Sequence, residues 1–401
     1  MNTAIVGVYE HPSRFSPNKT EFQIMAECAK GALDDAGLDR ADVDGLFGAS
    51  MSMGMMGIVD LAEYLDVRPD YLDGTNIGGS SFVAHVSHAA AAIHAGLCNV
   101  ALVLYGSTAA SNAMAIGTGG AGESKNPDAA FTSPYGMTTV GSYAMYANLH
   151  MNTYGTTSEQ LAEVAITMRK HAGLNPNAKM RSPITVDDVL GSRMISRPLH
   201  LLDCCIISDG GGAVVLTSLE RARDLPKPPI QLLGCGEAVQ HQGVGRSDLL
   251  TIAAQQSGDR AFTMAGLDRS DVDLAMIYDS FTITVLATLE NLGFCAFGEG
   301  GDFVSEGGIS IGGSLPVNPD GGGLSSNHPG MRGIFLVIEA VKQLRQECDA
   351  RQVADPEVAL AHGTGGTIGD KHSGATLILS LIHISEPTRP RLLSYAVFCL
   401  K

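Results

Sequence analysis

Residues 73–85 read Asp-Gly-Thr-Asn-Ile-Gly-Gly-Ser-Ser-Phe-Val-Ala-His, and they lead into an Ala-rich segment that ends at residue 96 and an apolar run at 100–105. This order is typical of a small-residue turn, a helix and a buried strand. Because Gly has no Cβ atom, Gly78 and Gly79 let the backbone approach a ligand, and the helix behind them directs free N–H groups toward it. The turn is therefore either an oxyanion- or phosphate-binding site or a tight connection into a buried helix.

The same layout occurs a second time in the chain. Residues 36–44 read Ala-Gly-Leu-Asp-Arg-Ala-Asp-Val-Asp, and residues 265–273 repeat them with one change, at an offset of 229 residues (265 − 36). Each copy ends a predicted helix, which for the second copy runs over residues 249–265, and a strand, a Gly-rich turn, a helix and another strand follow it. This self-similarity indicates a duplicated α/β unit. We predict a first half over residues 1–225 and a second half over residues 226–379.

Two segments depart from the repeat. Residues 107–197 are rich in Gly, Met and Tyr, and they predict an inserted loop subdomain, the natural place for a lid or a substrate pocket. Residues 201–216 predict two apolar strands around a tight turn. Residues 380–401 fit the pattern badly and resemble translated sequencing-adapter read-through, so we predict a non-native tail there.

Composition limits the partners of the protein. The 401 residues carry a formal charge of −16 and are 45% hydrophobic, so we expect a large core and neither nucleic acid nor a membrane as a partner. Phosphate-bearing ligands would need cationic side chains at the binding site, for which the candidates are Arg169, Lys170, Arg193 and Arg332.

The eight Cys form no Cys-x-x-Cys pair, which argues against a metal site. The N-terminus reads as a strand without a basic leader, so we expect a cytoplasmic protein.

Several motifs carry a family resemblance. They are Arg169-Lys170-His171-Ala172, Leu202-Asp203-Cys204-Cys205, Ser208-Asp209-Gly210, Tyr278-Asp279-Ser280-Phe281, Asn318 to Gly330, and His362-Gly363-Thr364-Gly365-Gly366. Over residues 3–379 the chain resembles the thiolase superfamily, above all the sterol-carrier-protein-x thiolases and the steroid side-chain aldolases. The resemblance implies a five-layer α-β-α-β-α sandwich, an acyl-CoA substrate without a further cofactor, and a homodimer. It also implies a small partner protein with a zinc ribbon and an OB-fold.

The resemblance assigns roles to single residues. Gly79 occupies the position of the acylated Cys of thiolases, His362 that of their second Cys, and Tyr278 that of a catalytic His, while His328 matches the His of their Gly-His-Pro motif. We therefore predict Tyr278, His328 and His362 as catalytic residues. The oxyanion- or substrate-binding residues are predicted to be Gly79, Ser80, Asn327 and Gly363.

Each of these residues also has a plainer interpretation. Ser80 is either a nucleophile or a hydrogen-bonding residue of the turn. His328 is either a donor to the thioester oxygen or a core histidine. Tyr278 and His362 are alternative proton acceptors, and His362 has the better intrinsic pKa near neutrality.

Gly79 cannot form an acyl-enzyme, and thiolysis needs one. We therefore predict retro-aldol cleavage of a β-hydroxyacyl-CoA through an enolate. The steroid aldolases combine a Gly at this position with Tyr-Asp-x-Phe, although they also carry a second Tyr where this chain has Asn327 to Pro329. The alternatives are an acetyl-CoA acyltransferase with another nucleophile and a non-catalytic thiolase-like partner that binds an acyl chain.

Overall fold

Both copies of the repeat contribute strands to one mixed sheet. The computed structural model describes residues 2–114, 138–241, 248–369 and 371–381. The strands of these residues are β1 (Thr3–Glu10), β2 (Gly45–Gly48), β3 (Tyr71–Asp73), β4 (Val100–Ser107), β5 (Met194–Ser196), β6 (Leu199–His200), β7 (Gly210–Ser218), β8 (Ile230–Gln240), β9 (Leu274–Ile277), β10 (Val358–Gly366) and β11 (His372–Leu381). Nine of these strands form the mixed sheet, in the order β3-β2-β4-β7-β1-β8-β11-β10-β9, and β5 and β6 form a separate ribbon.

The helices divide among the two halves and the insertion. The described residues form α1 (Glu21–Ala36), α2 (Gly57–Leu65), α3 (Ser81–His94), α4 (Thr139–Tyr154), α5 (Ser158–Leu174), α6 (Val186–Gly191), α7 (Leu219–Ala222), α8 (Ala253–Ala265), α9 (Thr282–Leu292), α10 (Gly300–Ser305) and α11 (Gly333–Leu344). Helices α4, α5 and α6 belong to the predicted insertion. No described helix is long and apolar enough to cross a membrane.

The repeated nonapeptide adopts the same structure in both places. Gly37 ends α1 with a φ of 69°, and Gly266 ends α8 with a φ of 67°. These left-handed conformations require Gly, because a Cβ atom would clash with the backbone. A single 3₁₀ turn then follows each helix and leads into β2 or β9. The sequence repeat is therefore a structural repeat.

Five layers result from where the helices pack. Helices α3 and α11 contact strands of both halves, and the apolar cluster around them contains Phe82, Phe335 and inward-facing residues of both sets of strands. Helices α1 and α2 cover the outer face of the first half, and α8 and α9 cover that of the second. Among the strands that the structure describes, the two sets join where β1 meets β8, over Ala4 with Gln231 and Ile5 with Ile230. The predicted α-β-α-β-α sandwich is confirmed.

Two predicted elements differ in the structure. The strand predicted from residue 201 is wrong, because residues 204–208 bond to loop backbone rather than to a strand: Cys205 donates to Ser280, and Ile206 donates to Gly323. The segment thereby becomes a wall of the candidate site. Helix α8 begins at Ala253 rather than at residue 249, because the Asp248 carboxylate accepts two backbone N–H groups and holds a turn.

The ends of the predicted halves remain predictions. Residues 115–137 of the insertion and residues 382–401 of the predicted tail lie outside the described residues. Ser380 and Leu381, the first two residues of that tail, continue β11 and pair with Gln231 and Ile230 of β8.

Candidate active site

A tyrosine and a histidine meet in the central layer. Tyr278 directly follows β9, and its backbone N–H donates to the carbonyl of His362 at 3.0 Å, so the strand pairing sets its position. His328 follows the Gly-rich turn 322–326, and its N–H donates to Ser208 Oγ at 3.0 Å. The Tyr278 hydroxyl lies 2.9 Å from His328 Nε2. Both side chains are buried, so the pair is shielded from water.

The ring of Tyr278 fills the place of a side chain at residue 79. A Cβ atom built on Gly79 would lie 2.2 Å from Cε2 of Tyr278 and 2.5 Å from the carbonyl oxygen of Thr364. Real Cβ contacts this short do not occur, and one of the two neighbours is rigid backbone. Gly79, just before α3, is therefore required by its neighbours. A thiol at this position has no room beside Tyr278.

Burial decides the protonation of the pair. Burial raises the pKa of Tyr278 well above 10. Burial and, to a smaller extent, the nearby charge of Arg332 together lower the pKa of His328 to about 3. At neutral pH, Tyr278 therefore keeps its proton and His328 is uncharged. We assign the hydrogen bond as Tyr278 O–H donating to Nε2, which places the imidazole proton on Nδ1. Nδ1 is buried and has no partner among the described residues.

The structure places the His362 side chain on the other face of the sheet from Tyr278. Ala361 and Gly363 face the central layer, and a Cβ atom on Gly363 would lie 2.9 Å from Cα of Ser80. His362, between them, faces α8, where Nδ1 bonds to Thr376 Oγ1 at 2.9 Å. Its contribution to the Tyr278 pocket is therefore its backbone carbonyl and not its imidazole.

Ser80 and Asn327 are engaged in bonds within the protein. Ser80 Oγ donates to the Ile77 carbonyl at 3.1 Å and bonds to Ser373 Oγ at 2.8 Å, which ties the turn to β11. Asn327 donates from Nδ2 to Glu10 at 2.7 Å and accepts a hydrogen bond from Arg332 at Oδ1. These contacts show both residues as supports of the backbone around the pair.

Arg332 is not a phosphate ligand in this fold. Its guanidinium is fully buried and donates to Asp320 at 2.5 Å. This buried network was not predicted from the sequence, because nothing in the residues beside Arg332 indicates that its guanidinium is buried. Among the described residues, no group of three or more His, Cys, Asp or Glu is arranged to hold a metal ion.

Four buried histidines should make the folded protein less stable in acid. Burial lowers the pKa to about 4 for His85 and His372 and to about 3 for His328 and His362, whereas histidine in an unfolded chain titrates near 6.5. The unfolded state therefore binds more protons as pH falls below 6.5, and stability falls with it. Asp203 and Asp279, two buried carboxyls with raised pKa, bind protons in the folded state and oppose this in part. Each net proton that the chain takes up on unfolding lowers the unfolding free energy by about 1.4 kcal/mol per pH unit.

Urea unfolding at pH 7, 6 and 5 measures this slope. His362→Gln should reduce the pH dependence by about one proton, whereas the exposed His94→Gln should leave it unchanged. An unfolding free energy that stays constant from pH 7 to 5 would contradict the prediction.

A five-layer duplicated fold with a Gly just before α3 and a buried Tyr–His pair defines an enzyme of the thiolase superfamily. The thiolase C-terminal domain-like family matches residues 236–380. A steroid side-chain-cleaving aldolase of Thermomonospora curvata is 37% identical over 90% of this chain and 95% of its own length. The chain belongs to this superfamily, in the branch of SCP2-type thiolases and steroid side-chain aldolases.

Two further comparisons show which reactions the relatives of this chain are named for. An acetyl-CoA acetyltransferase of Methanothermobacter thermautotrophicus is 34% identical over 86% of this chain and 91% of its own length. The solved structure of an Ltp2-ChsH2(DUF35) aldolase superposes with a TM-score of 0.84 at 34% identity, covering 95% of this chain and 98% of that one. Relatives of this chain therefore include both a carbon–carbon lyase and an acyltransferase.

Proposed function

We propose that the protein cleaves a β-hydroxyacyl-CoA by a retro-aldol reaction without an acyl-enzyme. The observation that carries the proposal is the contact between Gly79 and Tyr278. The site has no thiol at residue 79, and the tyrosine ring fills the space that an acylated side chain would need. In place of a nucleophile, the site holds a proton-transfer pair, which is what carbon–carbon cleavage of a hydroxy thioester requires.

The Tyr278–His328 pair would move the proton. The substrate hydroxyl gives its proton to the Tyr278 oxygen as Tyr278 passes its own to His328 Nε2, which lies 2.9 Å away. The Cα–Cβ bond breaks, the hydroxyl carbon becomes a carbonyl, and the bonding electrons form the enolate of the shorter thioester. The proton then returns through the pair to Cα. The products are a ketone or aldehyde and a shorter acyl-CoA, and the reaction consumes no free CoA.

The developing oxyanion needs a hydrogen-bond donor. His328 Nδ1 is buried, carries a proton in the assigned tautomer, and has no partner among the described residues. It is therefore the donor that we assign to the thioester oxygen, together with the backbone N–H groups of the turn at Gly79. When Nε2 takes up the proton of Tyr278, the imidazolium strengthens this hydrogen bond at the moment at which the enolate forms.

An acetyl-CoA acyltransferase is the second candidate. The acetyltransferase relative supports it, since that protein shares a third of its residues with this chain. It would require a nucleophile other than residue 79, and Ser80 is bonded to Ile77 and Ser373. The dependence of the reaction on free CoA separates the two candidates.

We also propose two protein partners. Strand β3 lies at the end of the sheet with β2 as its neighbour, and the side chain of Leu72 on this strand is exposed. An open edge with an exposed apolar side chain favours pairing with a second copy, so we infer a homodimer through β3. The similarity to the solved Ltp2-ChsH2(DUF35) aldolase supports a second partner, which we propose to be a small zinc-ribbon and OB-fold protein.

The test incubates the full chain with β-hydroxyacyl-CoA and β-ketoacyl-CoA thioesters that carry either a linear or a steroid acyl group. Each reaction is run with and without free CoA and with and without a co-expressed zinc-ribbon protein, and mass spectrometry identifies the products. Light scattering on the same samples gives the oligomeric state. We expect release of a shorter acyl-CoA from the hydroxy substrate without free CoA.

The CoA requirement decides the outcome. Cleavage of the keto substrate that depends on free CoA would overturn the aldolase proposal in favour of a thiolase. A covalent acetyl adduct on the protein after incubation with acetyl-CoA would do the same. A monomer in the absence and in the presence of the partner protein would overturn the inferred homodimer.

A further inference from the structure

We propose that Arg332 is the positioning residue of the catalytic pair, and the inference rests on the proposed function. Its guanidinium contacts the residue that follows Tyr278 and the residue that precedes His328. Asp279 follows Tyr278 in the chain, and Asn327 precedes His328. One side chain therefore connects the two segments that carry the reacting groups.

Two of the three guanidinium nitrogens donate hydrogen bonds, and the third makes an ion-pair contact. Nη1 donates to the Asn327 carbonyl at 3.0 Å and also to Asn327 Oδ1. Nη2 donates to Asp320 at 2.5 Å, and Nε lies 3.4 Å from Asp279 Oδ1. A planar fork with several directed donors fixes its partners more tightly than a lysine ammonium would. The separation between Asp279 and Asn327 is thereby set by the width of one rigid group.

Asp279 transmits this constraint to the Gly-rich turn. Its carboxylate accepts the N–H of Gly323 at 2.7 Å and the N–H of Leu324 at 3.1 Å. A Cβ atom on Gly322 would lie 2.0 Å from Asp279 Oδ2, so the turn packs directly against the carboxylate. The turn leads into Asn327 and His328. Arg332 and Asp279 therefore fix both ends of the segment that presents the imidazole to Tyr278.

Arg332 also places a charge beside the pair. It is fully buried, and the carboxylates of Asp279 and Asp320 face it, with Glu10 behind Asn327. The positive charge lowers the pKa of His328 and acts in the same direction on the pKa of Tyr278. The first effect keeps His328 uncharged in the resting enzyme, and the second makes the Tyr278 hydroxyl a better hydrogen-bond donor to it.

A purely structural role predicts a different pattern from a positioning role. Loss of a structural buried arginine lowers stability and leaves the turnover of the folded fraction unchanged. Loss of a positioning residue lowers kcat, and a displacement of about 1 Å in a catalytic group costs about 10²-fold. It also changes the hydrogen bond between Tyr278 and His328 Nε2, which a structural role elsewhere in the core does not.

The test uses Arg332→Lys, which keeps a charge, and Arg332→Met with Asp320→Asn, which removes the cation and one carboxylate together. The control is Arg345→Met with Asp35→Asn, because Arg345 is buried and donates to Asp35 at 3.0 Å, and the charges that act on it belong to Asp35 and Glu347, outside the site. Circular dichroism checks the fold of each variant. Steady-state kinetics of retro-aldol cleavage give kcat and KM, and NMR of labelled histidine at pH 7 follows the Nε2 resonance of His328, which reports its hydrogen bond from Tyr278.

In folded Arg332→Lys we expect kcat to fall by about 10²-fold with KM changed less than about threefold. In the Arg332→Met/Asp320→Asn variant, the Nε2 resonance of His328 at pH 7 should move from its wild-type position, because the hydrogen bond from Tyr278 changes, while in the Arg345 control it should stay in place. An unchanged kcat and an unchanged Nε2 resonance in folded variants would overturn the inference. The NMR measurement needs no turnover, so it tests Arg332 even where the retro-aldol reaction itself is not found.

Discussion

Tyr278→Phe is expected to lower kcat for retro-aldol cleavage by about 10³-fold, within the range that a positioned proton-transfer group supplies. The variant loses one oxygen atom and keeps the ring, so the packing against Gly79 is preserved. The hydrogen bond to His328 Nε2 disappears, and no other described side chain bonds to that nitrogen. KM should change little, because the ring still fills its space.

Tyr146→Phe provides the matched control. Tyr146 is also buried, and its hydroxyl donates to the Leu250 carbonyl at 2.8 Å, in the packing between α4 and the segment before α8. The two variants lose the same atom, but only one should lose activity. Comparable kcat values for Tyr278→Phe and the wild type would remove Tyr278 from the mechanism and leave the assignment of the base open to His328 alone.

Gly79→Cys restores the residue type of a thiolase but is not expected to restore thiolysis. The new Cβ atom meets the Tyr278 ring and the Thr364 carbonyl, so the variant should lose about 1–3 kcal/mol of unfolding free energy, as overpacked cores do. Retro-aldol activity should fall with the displaced ring. Mass spectrometry after incubation with acetyl-CoA should show no acyl-enzyme, because the thiol lies against the ring with no room for an acyl group.

Gly191→Cys is the control for the substitution itself, since a Cβ atom at Gly191 meets nothing within 4 Å. A double variant, Gly79→Cys with Tyr278→Ala, removes one of the two clashes. Its loss of stability should therefore be smaller than the sum of the two single losses. Additive losses, or an acylated thiol at residue 79 in the single variant, would show that residue 79 and the ring do not compete for the same space.

The duplicated architecture was predictable because local rules act at each copy. Gly37 and Gly266 end their helices in the left-handed conformation, and the residues after them form the same turn. The proximity of Tyr278 and His328 was predictable only through the motifs that resemble thiolases. Nothing in the local sequence of either residue indicates that the two side chains, 50 positions apart in the chain (328 − 278), come together.

The face of the sheet on which the His362 side chain lies follows from the alternation of side chains along β10, and the sequence does indicate which face that is. Small residues alternate with larger ones along this strand, with Ala359, Ala361 and Gly363 on one face and Leu360 and His362 on the other. A strand packed against a buried helix places its small residues on that side. The burial of Arg332 carried no comparable signal, because its partners Asp320 and Asp279 lie 12 (332 − 320) and 53 (332 − 279) residues earlier and no periodic pattern connects them with Arg332.

The contact between the two halves determines when in folding the chain becomes active. Gly79 belongs to the first half and Tyr278 to the second, 199 residues later (278 − 79), and they meet only when α3 lies against β10. Contacts of such long sequence separation form late in folding, because the intervening chain must first be ordered. Neither half alone contains both Gly79 and Tyr278, so catalytic turnover of this chain reports that both halves have docked.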